Sequence, residues 1–294
     1  MNIKRAICGF LLSFVFMFVF LYAISSAQLI FQPAGISQAL QIIEEEDTIE
    51  NIAAPIENLE INAGAAISIE SNLLDASKII FEKESEKKLP IASLTKLMTA
   101  IIVLDNYDLS KIITVDKLAD LQAPMKQDVK LGDAMPIESF LEIMLVTSSN
   151  KSAFTLAQAM GEEKFVGLMN QKAKDLGMVN TFFADPTGLS SKNVSTAVDL
   201  SELAEYILKN YAKIADISRT EQLDIPNFGK ITNTDQLLTE IPETVCSKTG
   251  YTTEAKGCLL LAMYNIEKNN YLIHVILGAD DRFTEMKKLI STCK

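Results

Sequence analysis

Residues 89–104 have the sequence LPIASLTKLMTAIIVL, and this stretch decides how the chain folds. From Leu97 to Leu104 nearly every residue is apolar, so a helix here has no polar face and must lie at the centre of a domain. Ser93 and Lys96 stand just ahead of this apolar run, three residues apart, which places both side chains on one face of a helix. Because burial lowers the pKa of an amine, Lys96 is predicted to act as the base that takes the proton of Ser93.

The Ser-x-x-Lys pattern alone is a weak signal. It also occurs at Ser85 with Lys88 and at Ser148 with Lys151. Ser85 lies in a charged loop, where a lysine stays solvated and protonated. Taken without other motifs, the favoured interpretation of Ser93 is a helix cap beside a lysine that reaches solvent.

A Ser-x-Asn pair forms the second candidate motif. It occurs as SSN at 148–150, between two predicted helices, and again as SKN at 191–193, in a loop. As an alternative, either serine is only a helix cap or a turn residue. We prefer the first pair, with Ser148 as the proton relay and Asn150 as the amide that orients the substrate or Lys96.

The third candidate motif is KTG at residues 248–250, which occurs once in the chain. A lysine and a hydroxyl near a strand end, here Lys248 and Thr249, are suited to binding a terminal carboxylate. Gly250 lets the substrate backbone approach closely, and the N–H of Tyr251 is expected to complete an oxyanion hole. The alternative is an ordinary strand end with a solvated lysine, but the order and context of all three motifs favour one catalytic site.

The pattern around these motifs predicts an α+β domain. Alternating or short apolar runs predict strands near both chain ends, and helical spacing fills the middle. The predicted strands cover 65–70, 78–81, 244–248, 258–264 and 271–277, and the predicted helices cover 97–104, 137–146, 151–160, 162–176, 200–209 and 283–290. One sheet built from both ends and a separate helical lobe are therefore expected, with a cleft between them.

Composition and charge exclude several classes of function. The chain has 294 residues, of which 48% are hydrophobic and 22% charged, as in a globular protein. Its net charge of −11 argues against nucleic-acid binding, which requires a basic face. The single histidine, His274, lies in a predicted apolar strand and is interpreted as a core residue. No metal or other cofactor is expected. A Ser-His-Asp hydrolase is not expected either, because the sequence contains no Gly-x-Ser-x-Gly string.

The N-terminal segment, residues 1–27, is predicted to be a membrane anchor or a signal peptide. Lys4 and Arg5 precede an uncharged apolar run of 19 residues from Ala6 to Ile24. A spanning helix needs about 20 residues, whereas the apolar core of a signal peptide has about 7–15. We expect an anchor, and cleavage after Ala27 is the alternative. Both place the remainder outside the plasma membrane, secreted or periplasmic if cleaved, because the positive flank stays in the cytoplasm.

The rest of the chain is predicted to divide into a stalk and a catalytic domain. All charged residues in 28–62 are acidic, and like charges extend a segment, so this part is expected to be an acidic stalk. The catalytic domain is expected over 63–294, with a sheet lobe at 63–91 and about 216–294 and a helical lobe at about 92–215.

The cysteines leave a choice open. Cys246 and Cys258 flank a predicted hairpin, and Cys293 is next to last. An oxidising exterior permits a Cys246–Cys258 disulfide, and buried free thiols are the alternative.

Taken together, the motifs resemble the penicillin-binding D-alanyl-D-alanine carboxypeptidases, the low-molecular-mass serine enzymes of cell-wall maturation. The resemblance runs from about Ala65 to Ile290. The strings that carry it are LPIASLTKLMT at 89–99, DLGM at 175–178, DPTGL at 185–189, STAVDL at 195–200, KTGYT at 248–252 and LGA at 277–279. It implies a penicillin-binding/serine β-lactamase-like fold, with an antiparallel sheet from both chain ends and an all-helical lobe.

The resemblance also implies an activity and a role for each matching residue. The implied substrate is a peptidoglycan stem peptide ending in D-Ala-D-Ala, shortened by one D-Ala, and β-lactams are expected to acylate the same serine. The implied roles are the acyl-enzyme for Ser93, the base for Lys96, the second motif for Ser148 and Asn150, and binding of the terminal carboxylate for Lys248 and Thr249.

Three departures from the family pattern stand out. Ser149 and Lys151 occupy places where the second motif usually has Gly and Asp, which is expected to alter rate or substrate choice. Cys246 stands where glycine is frequent. A β-rich C-terminal domain, which many relatives carry, is not expected after the catalytic domain, and the stalk is expected to take over its positioning role.

Three alternatives use related machinery. A D,D-endopeptidase that cuts peptidoglycan cross-links has the same motifs, and the sequence does not separate it from a carboxypeptidase. A class A β-lactamase needs a glutamate for deacylation, and no Glu-x-x-Leu-Asn string lies between the second and third motifs. A non-catalytic receptor for wall peptides or penicillin is disfavoured by Ser93, Lys96 and Lys248, but the altered second motif keeps it open.

Overall fold

The computed structural model describes residues 60–291 of the chain. The predicted anchor at 1–27, nearly all of the predicted stalk and Cys293 lie outside the described residues. Residues 60–62, assigned to the stalk, pack on the domain: Ile61 is buried, and the Asn62 N–H donates to Glu285 Oε2 at 2.8 Å. Within the described part, no helix is long and apolar enough to cross a bilayer.

The described part contains strands and helices that alternate along the chain. The strands are β1 (Ala65–Ser71), β2 (Lys78–Lys83), β3 (Leu89–Pro90), β4 (Ile112–Thr114), β5 (Ala134–Pro136), β6 (Val194–Ser195), β7 (Gln222–Ile225), β8 (Gly229–Thr232), β9 (Thr244–Thr252), β10 (Lys256–Asn265) and β11 (Asn270–Ala279). The α-helices are α1 (Thr95–Asn106), α2 (Lys117–Asp120), α3 (Ile137–Thr147), α4 (Asn150–Gln158), α5 (Glu162–Asp175), α6 (Ala197–Asn210), α7 (Ala212–Ser218) and α8 (Arg282–Ser291).

The main sheet unites the two ends of the domain, as the sequence predicted. Its five strands lie in the order β2-β1-β11-β10-β9, and every neighbouring pair is antiparallel. In the pairing of β1 with β11, Ala65 lies opposite Leu277 and Ser71 opposite Tyr271. Strand β9 forms one edge of this sheet, so one side of its backbone is left for other contacts.

The sheet separates two hydrophobic cores because successive strand residues point to opposite faces. On one face, Ile67 and Val275 join the large core that contains the helices of the middle of the chain. On the other face, Ala66 and Ile276 pack against Met286 and its neighbours on α8. The α+β architecture predicted from the alternating pattern is confirmed.

Helix α1 lies at the centre of the large core. All its residues from Thr95 to Val103 are buried, including the fully enclosed side chains of Leu97 and Ile101. Each such side chain contributes about 1.5–3 kcal/mol through burial. This confirms the prediction of a helix without a polar face, and it anchors the residues at its N-terminus rigidly.

Some short elements were not predicted. The helical region also contains the β4–β5 pair, so it is not purely helical, and the β7–β8 hairpin and α7 lead into β9. Strands of three or four residues are too short for an alternating pattern to be recognised. Their pairing depends on contacts with distant residues.

The described cysteines and the histidine are core residues. Cys246 lies opposite Ala262 and Cys258 opposite Gly250, so the two thiols sit at different positions along the strand pair. Both are free and buried, which excludes the Cys246–Cys258 disulfide considered above. His274 is fully buried with Nδ1 2.9 Å from the Ser68 hydroxyl, in agreement with its interpretation as a core residue.

Candidate functional site

The predicted nucleophile lies in a tight turn in front of the central helix. Ser93 is the middle residue of a 3-10 turn, Ala92–Leu94, that runs directly into α1. Ala92 adopts a φ of 47°, a left-handed conformation that is uncommon for a residue with a side chain. Such backbone strain persists only where the surrounding structure holds it in place, and it is frequent at functional sites.

Lys96 reaches back to Ser93 from the first turn of α1. Its Nζ lies 2.8 Å from Ser93 Oγ, 2.8 Å from Asn150 Oδ1 and 2.5 Å from the carbonyl oxygen of Thr187. Two of these three partners are carbonyl oxygens, which only accept hydrogen bonds. A neutral amine can therefore donate both of its hydrogens to Asn150 and Thr187 and direct its lone pair at the Ser93 hydroxyl.

The Thr187 carbonyl is positioned by a polar turn at residues 185–188. Asp185 Oδ1 accepts hydrogen bonds from the Thr187 N–H, the Thr187 hydroxyl and the Gly188 N–H. Gly188 has a φ of 87°, and a Cβ there would lie 1.9 Å from the Ala92 carbonyl oxygen. Only glycine allows this turn to approach the strained residue beside the nucleophile.

The second motif joins the ends of two helices. Ser148 ends α3 with a left-handed φ of 62°, and Asn150 begins α4. Ser149 caps α4, because its hydroxyl accepts from the Ser152 N–H at 2.9 Å. Ser148 Oγ lies 3.1 Å from Lys248 Nζ, so the second and third motifs meet directly.

The third motif lies on the edge strand β9 and faces the nucleophile. A Cβ at Gly250 would lie 3.0 Å from the Ser93 nitrogen, so a larger residue would push the strand away from the turn. Lys248 and Thr249 are buried, and the Thr249 hydroxyl contacts that of Thr234 at 2.5 Å. Tyr251, the next residue, has 65% of its surface exposed at the rim.

The two lysines of the candidate site have lowered pKa values. Burial places the pKa of Lys96 well below its ordinary value, and the positive charge of Lys248 lowers it further, against the opposing influence of Asp185 and Asp128. Burial also lowers the pKa of Lys248 to about 7, partly offset by Asp235 and assisted by Arg282. An uncharged Lys96 beside a Lys248 that carries charge below pH 7 is the arrangement expected of a base and an anion-binding group.

The competing copies of the weak motifs have structural roles. Ser85 donates to Glu82 Oε2 at 2.7 Å and lies in a charged loop away from the site. Asn193, from the second Ser-x-Asn, is fully buried and holds the 184–185 backbone, accepting from the Ala184 N–H at 2.8 Å and donating to the Asp185 carbonyl at 2.9 Å. The structure therefore brings together six of the residues selected from the sequence, with Thr249 and Tyr251 beside Gly250 on the same strand: Ser93, Lys96, Ser148, Asn150, Lys248 and Gly250. Ser85 and Asn193 have supporting roles instead.

Several residues of the site were not predicted. Asp185 and Thr187 lie in a string quoted only for its resemblance, although an Asp-Pro-Thr-Gly run signals a turn that carries a specific backbone geometry. Asp235 accepts from the Ser247 hydroxyl beside Lys248, and Asp128 accepts from the Ser149 hydroxyl. No local pattern marks these two carboxylates. Within residues 60–291, no group of three or more His, Cys, Asp and Glu residues is arranged to hold a metal ion.

Comparison with known proteins gives one consistent result. The peptidase S11 family, described as D-alanyl-D-alanine carboxypeptidase, matches residues 50–281. The chain is 32% identical over 243 residues to the D-alanyl-D-alanine carboxypeptidase DacF of Bacillus subtilis, which covers 78% of this chain and 61% of that protein. The chain thus spans about three fifths of that relative's length.

Two further similarities concern an endopeptidase and a solved structure. Over 237 residues the chain is 34% identical to a D-alanyl-D-alanine endopeptidase of Escherichia coli, covering 76% of this chain and 74% of the relative. The penicillin-binding protein D2 of Listeria monocytogenes, solved in its cefotaxime-bound form, is similar with a TM-score of 0.72 and 27% identity, covering 80% of this chain and 98% of that one. The resemblance stated from the motifs and the expected fold are both confirmed.

Proposed function

Since the chain belongs to the D-alanyl-D-alanine carboxypeptidase family of serine peptidases, peptidase S11, we propose that it removes the terminal D-Ala from peptidoglycan stem peptides through an acyl-enzyme on Ser93. The observation that carries this proposal is the convergence of the Ser93 hydroxyl, the buried Lys96 amine and the Lys248 ammonium in one place. Each supports a different step of acyl transfer.

Acylation begins with the neutral amine of Lys96. It accepts the proton of Ser93 Oγ, 2.8 Å away, as that oxygen attacks the carbonyl carbon of the penultimate D-Ala. The backbone N–H groups of Ser93 and Tyr251 stabilise the oxyanion, which typically lowers a barrier by about 3–4 kcal/mol for each donor. The C–N bond then breaks, and Ser148 relays the proton from Lys96 to the leaving amine.

Substrate selection depends on the carboxylate of the terminal D-Ala. Lys248, while charged, and the Thr249 hydroxyl bind this carboxylate beside the nucleophile. The same contact explains why β-lactams, which carry a carboxylate next to a strained amide, are proposed as covalent inhibitors of this chain. Water completes the cycle by attacking the ester, with Lys96 again as the base, and releases the shortened peptide.

The test is to locate the covalent adduct and to remove its acceptor. We expect mass spectrometry of the penicillin-treated chain to place one adduct on the peptide that contains Ser93, and Ser93→Ala to abolish both labelling and release of D-Ala. An adduct at another residue, or full labelling of the Ser93→Ala variant, would reject the assignment.

A second candidate function is the D,D-endopeptidase activity. It is favoured by the 34% identity to a relative named for that activity. The same groups would attack a D-Ala carbonyl whose leaving amine belongs to a cross-linked peptide. Comparing hydrolysis of monomeric and cross-linked muropeptides separates the two: release of D-Ala from monomers supports the carboxypeptidase, and conversion of dimers to monomers supports the endopeptidase.

A non-catalytic receptor is the remaining alternative. It would acylate stably with penicillin but hydrolyse neither muropeptide. The match to a family of serine peptidases favours an active enzyme over this alternative.

We also propose that the enzyme works outside the cytoplasm, anchored to the plasma membrane by its N-terminal segment. Support comes from the apolar run between residues 6 and 24 behind Lys4 and Arg5, and from the location of the proposed substrate. Membrane fractionation with N-terminal sequencing tests this: recovery of the intact chain in the membrane supports the anchor, and a soluble chain that begins at Gln28 indicates cleavage after Ala27.

A further inference from the structure

A loop beside the second motif is fastened to three consecutive residues of that motif. This flanking loop, residues 120–128, starts at the last residue of α2 and runs along the start of α4. Its contacts are the Lys151–Asp120 ion pair at 2.6 Å, the hydrogen bond from Asn150 Nδ2 to the Ala123 carbonyl at 2.8 Å, and the hydrogen bond from the Ser149 hydroxyl to Asp128. The far side of the loop is tied to β8, where Gln127 Oε1 accepts from the Thr232 N–H at 2.8 Å.

The central contact of the three belongs to the reaction site itself. The Asn150 amide accepts from Lys96 through Oδ1 and donates to the Ala123 carbonyl through Nδ2. Its orientation is therefore set from both sides. If the loop moved away, the Asn150 amide would lose one partner and could rotate, and Lys96 would lose a fixed acceptor that directs its lone pair at Ser93.

The two outer contacts use the residues that depart from the usual second motif. A glycine at position 149 would have no hydroxyl for Asp128, and an aspartate at position 151 would face Asp120 with like charge. Lys151 exposes only 12% of its side chain and Asp120 35%, so solvent screens this ion pair less than a fully exposed one. Ser149 and Lys151 are thus matched to the two carboxylates of this particular loop.

We propose that Ser149 and Lys151 are positioning residues that hold the flanking loop against the second motif and thereby keep Asn150 aligned with Lys96. The proposal rests on the proposed acyl-transfer function of the site. It explains both departures from the usual motif: Ser149 and Lys151 bind the two carboxylates of the flanking loop, and this contact preserves the geometry of the site.

The experiment compares Lys151→Ala, Ser149→Gly and Lys151→Asp with the charge-exchanged pair Asp120→Lys/Lys151→Asp, all in the full chain. Acylation by a fluorescent penicillin is followed over a range of concentrations, so that the rate at saturation and the binding constant are obtained separately. We expect Lys151→Ala to lower the saturating acylation rate by about 10- to 100-fold, as misalignment of a catalytic group does, with the binding constant changed by less than about threefold. The exchanged pair should recover to within about threefold of the wild type.

Lys172→Ala is the matched control. The Lys172–Asp105 ion pair joins α5 to α1 at 2.7 Å, with side-chain exposures of 23% and 30%, and it lies in the same helical region. Its loss should change thermal stability about as much as Lys151→Ala does but leave the acylation rate within about twofold of wild type.

The outcomes distinguish this inference from the proposed function. If the wild type forms an adduct on Ser93 but Lys151→Ala and Ser149→Gly acylate as fast as Lys172→Ala, the positioning role is wrong and the acyl-enzyme stands. If the wild type forms no adduct, the proposed function fails first. Should Lys151→Ala not fold, Ser149→Gly still decides: it removes the hydroxyl that contacts Asp128 and caps α4, and glycine replaces a serine at an N-cap with little loss of stability.

Discussion

Raising the pH above 7 should slow acylation by substrates that carry a carboxylate, because Lys248 then loses its charge. The buried amine has its pKa lowered to about 7, so its charged fraction falls from about one half at pH 7 to about one hundredth at pH 9. If only the charged form binds the carboxylate, the second-order rate constant for acylation by penicillin should fall about 50-fold over this interval. A bound carboxylate raises the pKa of Lys248, so the rate at saturation should change much less.

On the acidic side, the dependence of the acylation rate on pH is determined by Lys96. Its neutral form is the reactive one, so acidification through its lowered pKa should also slow acylation and produce a bell-shaped profile. The two lysines are linked: once Lys248 is neutral, one cause of the low pKa of Lys96 disappears. Above pH 7, the fall in the acylation rate should therefore follow the titration of Lys248 alone only at first, before the pKa of Lys96 has risen.

Stopped-flow measurement with a fluorescent penicillin between pH 5 and 9 checks this prediction. An activated ester without a carboxylate serves as the control substrate and should show no comparable decline above pH 7. The acylation rate of Lys248→Arg should stay at its pH 7 value up to pH 9, since a guanidinium stays charged. A flat wild-type profile, or an equal decline with the carboxylate-free ester, would refute the assignment of Lys248.

Three further outcomes are expected. Lys96→Ala should lower penicillin acylation by about 10³-fold, measured by gel fluorescence after timed labelling, because no base remains for Ser93. Gly188→Ala should destabilise the fold and reduce labelling, since its Cβ would lie 1.9 Å from the Ala92 carbonyl oxygen. The control Gly132→Ala has a similar φ of 88° but no atom near its Cβ, so it should lower the free energy of urea unfolding by only about 1 kcal/mol. Burial lowers the pKa of His274 to about 3, so the folded state should lose stability as the pH falls below 6.5. The free energy of urea unfolding should be about 3 kcal/mol lower at pH 4.5, and His274→Leu should not show this loss.

The proposed catalytic residues were accessible from sequence because each belongs to a short local pattern. Ser93 and Lys96 are one helical turn apart, so their contact follows from local geometry alone. The apolar run behind them predicted a buried helix, and burial predicted the lowered pKa of Lys96. Helix caps are equally local: the Thr196 hydroxyl accepts from the N–H of Asp199, only three residues further on, at 3.0 Å.

The supporting residues were not accessible in this way, because their partners are distant in the chain. Thr187 contacts a lysine 91 positions away, and Asp128 meets Ser149 across 21 positions. An aspartate in a loop has many possible partners, and its own neighbours do not indicate which one it meets. The choice between a disulfide and free thiols stayed open for a related reason: only the strand register shows that Ala262, and not Cys258, lies opposite Cys246.

By itself, the order of amino acids determined the type of chemistry: a serine, an amine one turn away, and a lysine beside a hydroxyl and a glycine. Periodicity also predicted the longer strands and helices, since burial on one face imposes a spacing along the chain. Only the tertiary structure decided which of the repeated weak motifs come together, how the 185–188 turn completes the surroundings of Lys96, and which carboxylates contact the second motif. Those contacts join residues that become neighbours only after the sheet and the helices have packed, so no local pattern encodes them.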